Sequence, residues 1–289
     1  MLKLAALTYG HSTEKLLLKD IDGIIVSFGS FSMDERQADL RKIISLCREN
    51  NKMCWLKLDR LYEESEIADL REYLKDIDLL GIDGVIFTDL AVNEIALQEK
   101  LSFKRMYAPE TLLTNSYDIQ LLLKEMDHCV ISQDITLKDI KDIISEVPDR
   151  CFLRVHGPVM LAYSKRRFIS AYLREDKQKY DEGYYVIEET RDNKMPLIQN
   201  TAGSRLYGGV LQSISEINEL KDLKLAGVII DDVFMDEEYD LAVIDLYNAR
   251  LQGKIDKEQA QEKLYGLNEN VEYIALKDVQ ESWIKKEEG

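Results

Sequence analysis

No two cysteines in this sequence stand close enough to make a CxxC or CxxxC pair. Cys47, Cys54, Cys129 and Cys151 are scattered and none follows Cys151. This excludes a local redox or metal motif and reads as reduced thiols buried as small apolar residues. Histidine is as scarce: His11, His128 and His156 are too few and too dispersed for a zinc centre, so neither metal nor cofactor is expected. No apolar run approaches the roughly 20 residues that span a bilayer. The apolar start over 1–7 is too short for a secretory signal and reads as a first buried strand, so a cytoplasmic protein without membrane contact is expected. Neither GxGxxG nor GxxxxGK[ST] follows an apolar run, which counts against a doubly wound nucleotide-binding sheet. GxSxG and HExxH are missing as well, so no serine or zinc protease site is visible. Positive charge is short: 38 Lys and Arg stand against 54 Asp and Glu, a net charge of −16. Repulsion from phosphate then argues against general affinity for nucleic acid or membrane surfaces.

What is present suits a large α/β domain. Hydrophobic residues make up 45% and charged residues 32% of 289 positions, enough for a sizeable core beneath a solvated surface. Short apolar runs predict strands over 2–7, 23–28, 53–58, 84–87, 105–107, 129–132, 151–155 and 227–230. Several lack alternation, as expected of parallel strands covered on both faces. Amphipathic stretches between them predict helices over 34–50, 63–80, 91–99, 116–125 and 136–146. Ser32 with Glu35 reads as a capping box, and Thr136 with Asp139 as a similar device. Repeated strand–helix units imply right-handed crossovers, and about eight of them favour a closed or nearly closed (β/α)8, TIM-barrel-like domain over 1–251.

The pattern breaks over about 157–209, which reads as an inserted basic loop with a hairpin: strands over 184–189 and 195–200 about a turn at 190–194. Residues 150–205 hold eleven Lys and Arg against seven acids, a local excess of four positive charges. Anything anionic should bind there. A helix is predicted over 236–251. The charged tail over 252–289 either packs on the barrel or extends it, with 271–276 as an edge strand.

The run Phe152-Leu153-Arg154-Val155-His156-Gly157-Pro158-Val159-Met160-Leu161-Ala162-Tyr163-Ser164-Lys165-Arg166-Arg167 resembles the signature of the U32 (collagenase-like) peptidase family. There an apolar strand ends in His-Gly and two cysteines flank a Ser-Gly-Arg. His156, Gly157, Ser164 and Arg166 match; Met160 and Arg167 stand at the cysteine positions, and Lys165 at the glycine. Weaker echoes at Val26-Ser27-Phe28-Gly29, 81–89, Thr114-Asn115-Ser116, 132–136 and 199–205 extend the likeness over about 1–235. The resemblance implies a barrel and one of two activities. One is the collagenase-like peptidase of the family label. The other is oxygen-independent hydroxylation of tRNA or rRNA bases, or of a ubiquinone precursor, by members that bind an iron–sulfur cluster through four cysteines, some working as pairs of unlike members. Thiolates are the ligands such a cluster needs, and Met160 and Arg167 cannot replace them.

Each candidate site has two readings. His156, at the end of a predicted strand, suits anion binding or acid–base chemistry near neutral pH, or else holds the turn at Gly157-Pro158. Tyr163, Lys165, Arg166 and Arg167 suit recognition of phosphate, carboxylate or a stacked base, or form a solvated helix face answering Glu175 and Asp176. Asn200, Ser204 and Arg205 make a polar rim or an ordinary turn. Asp231-Asp232 could hold a divalent cation, but reads better as an acidic helix start; Asp89 and Glu110 face the same choice. The substrate-binding set is therefore His156, Tyr163, Ser164, Arg166, Arg167, Asn200 and Arg205, with His156 the catalytic candidate. The preferred reading is a cluster-less partner subunit of a cluster-bearing paralogue in tRNA wobble-uridine hydroxylation, touching tRNA through 150–205. The alternatives are a peptidase of undetermined mechanism and a non-enzymatic anion-binding barrel; whether the chain is itself an enzyme stays open.

Overall fold

A computed structural model describes residues 1–37, 39–175, 184–187, 194–231 and 234–279. Its strands in chain order are β1 (Leu2–Leu7), β2 (Gly23–Val26), β3 (Met53–Leu58), β4 (Gly84–Phe87), β5 (Lys104–Tyr107), β6 (His128–Ile131), β7 (Cys151–Ser164), β8 (Tyr185–Ile187), β9 (Lys194–Asn200), β10 (Gly203–Gln212), β11 (Gly227–Ile230) and β12 (Tyr273–Ala275). Its helices are α1 (Thr13–Leu17), α2 (Leu40–Glu49), α3 (Ile67–Leu80), α4 (Ala91–Glu99), α5 (Ser116–Leu122), α6 (Leu137–Glu146), α7 (Phe168–Leu173), α8 (Ile217–Asp222), α9 (Glu237–Leu251) and α10 (Lys257–Leu267). Strands β1 to β7 pair in sequence, all parallel. Strand β11 pairs parallel with both β7 and β1 and closes the ring. The result is an eight-stranded parallel barrel sheathed by helices, as the alternation predicts.

Two cores follow from the two-residue period of a strand. One alternate set points outward under the helices, including Cys54, Leu56 and Leu58 of β3. The other fills the barrel with Leu4, Ile25, Trp55, Ile86, Met106, Val130, Phe152 and Ile229. Trp55 fits because Gly84 has no side chain: a Cβ there would lie 2.3 Å from the indole. Gly227 makes the same room for Phe152.

Side-chain caps explain where the helices begin. Asp39, Asn115, Thr136, Asp236 and Asp256 each accept a first-turn amide, an interaction worth about 1 kcal/mol. The helix expected from residue 34 therefore starts only at Leu40, beyond Asp39. Ser32 is no cap: it is buried and donates to the Lys57 carbonyl at 2.5 Å, which draws 31–37 over the end of the barrel.

The larger departure is β7. Expected to end at Val155, it runs on to Ser164 and pairs antiparallel with β10, which carries β9 and β8. The stretch expected as a basic loop is thus an antiparallel sheet growing from the barrel wall, and the expected hairpin is the β8–β9 pair. Residues 188–193, with the expected turn, lie outside the described residues, as do Asp176, Asp232 and the tail beyond 279. Within the tail, β12 pairs parallel with β10 and α10 packs its buried Ala260 and Leu264 into the outer core.

Candidate active site at the barrel mouth

The inward positions change character abruptly along the strands. Two residues beyond the apolar layer of Trp55, Phe152 and Ile229 come Lys57, Arg154 and Asp231. Asp59 follows β3, Glu110 follows β5 and Gln133 follows β6. All stand at or past the carboxyl ends of barrel strands, the end where active sites of this architecture are built. Lys57 donates to Asp231 Oδ2 at 2.6 Å and lies 3.7 Å from Asp59 Oδ2. Arg154 donates to Glu110 Oε1 at 2.8 Å and to Gln133 Oε1 at 3.3 Å, and lies 3.9 Å from Asp231. Arg205 reaches in from β10, 3.6 Å from Asp59 Oδ2. Pro158, Met160 and Tyr207 of the antiparallel extension complete the lining of a cavity of about 20 Å³, room for about one water. Glu110 has φ +67°, an unfavourable backbone for a non-glycine residue, and its carboxylate is held by Arg154.

Three cations and three carboxylates balance here, and their pKa values follow from burial and pairing. Burial alone would lift the Asp231 carboxyl, but Lys57, Arg154 and Arg205 outweigh it and hold it below the usual range. Burial would likewise lower Lys57, yet Asp231 and Asp59 push it up to about 12. Arg154 is raised despite burial, chiefly by Glu110 and Asp231. All three stay charged at neutral pH. At the mouth, four buried polar atoms have no hydrogen-bond partner among the described residues: Nε of Arg154, Nε of Arg205, Nε2 of Gln133 and Oδ1 of Asp231. Each such orphan costs on the order of 1–3 kcal/mol.

The structure separates the residues singled out from sequence. Arg205 belongs to the mouth. Asn200 and Tyr163 hold its rim: Asn200 donates to the Met33 carbonyl and accepts from Ala202 at 3.0 Å. The Tyr163 hydroxyl donates to the Ala202 carbonyl at 3.0 Å and accepts from Leu61 at 3.3 Å, and burial raises its pKa. Ser164 accepts from the Arg166 amide, and Ser204 from the Phe168 amide at 3.0 Å. Arg166 and Arg167 are exposed, with Arg167 the residue preceding α7. His156 stands apart. It is mid-strand and fully buried, with Nε2 3.1 Å from the Tyr239 hydroxyl and Nδ1 3.4 Å from that of Tyr247. It faces α9 rather than the cavity, and it holds no turn at Gly157-Pro158, where β7 runs on.

Among the described residues, the cations of 150–205 likewise do not form one surface. Arg150 caps the α5 end through the carbonyls of Leu123, Met126 and Asp127, while Arg154 and Arg205 are inside. Lys165 pairs with Glu63 at 3.1 Å and Glu66 at 3.7 Å. Asp231 is neither half of a cation site nor a helix start, since Lys57 takes it. Asp89 accepts from the amides of Ala91 and Tyr62 at 2.9 Å, which is turn chemistry. Sequence reasoning missed Lys57, Asp59, Gln133 and Tyr207, and counted Arg154 only among the charges of 150–205. The available signal was a lysine inside the apolar run 53–58, two positions after Trp55.

The thiols do not fit a cluster of the kind the resemblance implies. Cys54, Cys129 and Cys151 point outward from the barrel wall, Cys54 against Cys47 of α2, and all four are buried in the outer core. Burial pushes Cys129 and Cys151 up to about 12, far from thiolate at neutral pH. Met160 lines the mouth. No group of three or more metal-ligating His, Cys, Asp or Glu residues occurs among the described residues, and no helix among them is long and apolar enough to cross a membrane.

A closed parallel barrel with a buried, charge-balanced mouth defines a (β/α)8-barrel protein. The chain belongs to peptidase family U32, whose profile matches residues 12–289. It is similar to tRNA hydroxylation protein P2 of Bacillus subtilis (strain 168), 24% identical over 228 residues that cover 76% of this chain and 72% of that protein. It is also similar to an uncharacterized protease of Methanocaldococcus jannaschii, 26% identical over 173 residues. That match covers 58% of this chain and 41% of the protease, less than half its length. Among solved structures, a U32 peptidase aligns with a TM-score of 0.49 at 12% identity, covering 79% of this chain and 92% of its own.

Proposed function

We propose that this protein is a cluster-less partner subunit in tRNA uridine hydroxylation, working with a cluster-bearing paralogue to form 5-hydroxyuridine. The observation that carries this reading is the similarity to a tRNA hydroxylation protein over three quarters of the chain. Met160 and Arg167 at the family's thiol positions support a role outside the redox step. The chain supplies surface and substrate contact. The face suited to tRNA is the outer side of α7 and the residues before it. There Arg166 and Arg174 are exposed beside Phe168 and Tyr172, the latter 88% exposed. Guanidinium groups bind phosphate and open aromatic rings stack on unpaired bases, each stacked base contributing about 1–3 kcal/mol.

The test is deletion of the gene in its native host, with tRNA 5-hydroxyuridine measured by mass spectrometry. The modification should fall, and return with the parent gene but not with an Arg166→Glu, Arg174→Glu variant. Unchanged modification in the deletion strain would dismiss the pathway. Affinity capture of the tagged chain from that host should bring down a paralogue that holds the cluster cysteines.

A further inference from the structure

Helix α5 has two sides that serve different ends. Ile119 is fully buried, and Leu122 and Leu123 pack beside it on the outer core of the barrel. That contact already holds the helix in place. Tyr117 and Leu121, about one helical turn apart and so on one face, point the other way and are 83% and 63% exposed. Leu112, in the loop that leads into the helix, is 62% exposed. Isolated surface leucines need no explanation; three large apolar residues within ten positions do.

Their surroundings are as unusual. In a chain of which 32% is charged, no lysine or arginine occurs between Arg105 and Lys124. From Thr111 to Leu123 the one charge is Asp118, whose carboxylate accepts from Asn115 at 2.9 Å. The other exposed positions there, Thr111, Thr114, Asn115 and Gln120, are neutral. By contrast, α2 shows solvent Arg41, Lys42, Arg48 and Glu49, and α6 shows it Lys138, Asp142 and Glu146. An aromatic side chain, aliphatic neighbours and few charges make up the centre of a protein–protein interface. Without cations, the face has nothing to hold a phosphate backbone or to draw a helix onto an anionic membrane surface.

Charge also selects the occupant. An unlike protein drawn to a chain of net charge −16 would meet its acids with cations, and α5 offers it no acid beyond Asp118. A second copy carries the same −16, and its approach costs least where local charge is absent. A neutral apolar face is moreover its own complement, which the two-fold symmetry of the commonest dimers requires. We propose that α5 and the loop before it form the centre of a symmetric homodimer, with Tyr117 of one protomer against Leu112 and Leu121 of its partner. This contact goes beyond the proposed function: it shares no residue with the α7 face assigned to tRNA, and it holds whether or not the chain takes part in hydroxylation.

The test is sedimentation equilibrium of the purified full chain across micromolar concentrations. The parent should dimerise with micromolar Kd. Association should strengthen several-fold from about 0.15 M to about 0.5 M salt, because salt screens the repulsion between copies and leaves an apolar contact in place. Leu121→Glu should weaken the dimer about a hundredfold or more, since symmetry puts the substitution into the interface twice. Its site is exposed, so the fold should survive, which circular dichroism checks. Leu79→Glu, at a leucine of α3 that is 85% exposed, should leave the dimer unchanged. The proposal is overturned if the parent stays monomeric through that range, if salt weakens the dimer, or if Leu121→Glu associates as the parent does. A chain that is monomeric alone and pairs only with an unlike protein overturns it too. None of these results bears on the tRNA measurement, which tests the hydroxylation reading separately.

Discussion

Replacing Asp231 by Asn keeps the shape of the side chain and removes one charge from the buried mouth. The parent carboxylate accepts from Lys57 at 2.6 Å and lies 3.9 Å from Arg154, and its surroundings are almost fully desolvated. Lys57 is then left with Asp59 at 3.7 Å, beyond hydrogen-bond length. Breaking one side of a buried ion pair typically costs about 3–5 kcal/mol, because a charge stays behind without its counter-ion. Unfolding entropy of about 2.1 cal/mol/K per residue gives roughly 0.6 kcal/mol/K for this chain, so Tm should fall by about 5–8 °C. The double variant Lys57→Met, Asp231→Leu removes both charges and should recover most of that loss, since apolar replacement of a buried pair is close to neutral. Differential scanning calorimetry at pH 7 measures all three proteins. An Asn variant melting within a degree of the parent would refute the claim that the mouth is a desolvated ion-pair network. So would a double variant no better than the single.

Lys57 has its pKa raised to about 12 by Asp231 and Asp59, against about 10.4 when unfolded. A raised cationic group stabilises fully below its unfolded pKa and stops doing so as pH rises through its folded one. Denaturant titrations should therefore show the parent losing about 2 kcal/mol more than the Lys57→Met, Asp231→Leu variant between pH 10 and about 12.5; parallel curves would contradict it. None of the four thiols should react with Ellman's reagent at pH 8 in the native chain, and all four should react in concentrated guanidinium. One fast native thiol would place a cysteine outside the packed wall. Gly84→Ala should cost on the order of 1–3 kcal/mol by driving a methyl group into Trp55, with partial recovery when Trp55→Leu is added. No recovery would mean that the indole does not fill the barrel against Gly84.

The barrel was readable because parallel strands buried on both faces leave uninterrupted apolar runs, and six of the eight start and finish within a residue of the expected positions. Strand β7 was misjudged for a physical reason. Gly157 and Pro158 look like a strand end, but Gly157 takes φ +143° and carries the chain onward, with the proline placed where β7 passes from parallel to antiparallel partners. The start of α2 was misplaced because Ser32 resembles a cap in sequence while its hydroxyl is spent on Lys57. For the site, Arg205 was singled out as part of a polar rim with Asn200 and Ser204. Lys57 and Asp231 were legible only through register: once Trp55 and Ile229 are assigned inward, the residues two positions on must point inward too. That inference needs pairing partners, which a single sequence does not supply.

The same register explains why the His-Gly signature can look catalytic yet act through position. Strand β7 shifts register against β11 between Ile229 and Ile230, where the partners pass from Arg154 to His156. The His156 carbonyl then accepts the Asp231 amide at 2.9 Å, while its ring is fastened to Tyr239 and Tyr247 of α9. A Cβ on Gly157 would lie 2.1 Å from the Asp231 carbonyl oxygen, so only glycine lets the two strands approach this closely. His156 and Gly157 therefore fix the backbone of the carboxylate that neutralises Lys57 and Arg154. What the motif builds here is the charge balance of the mouth.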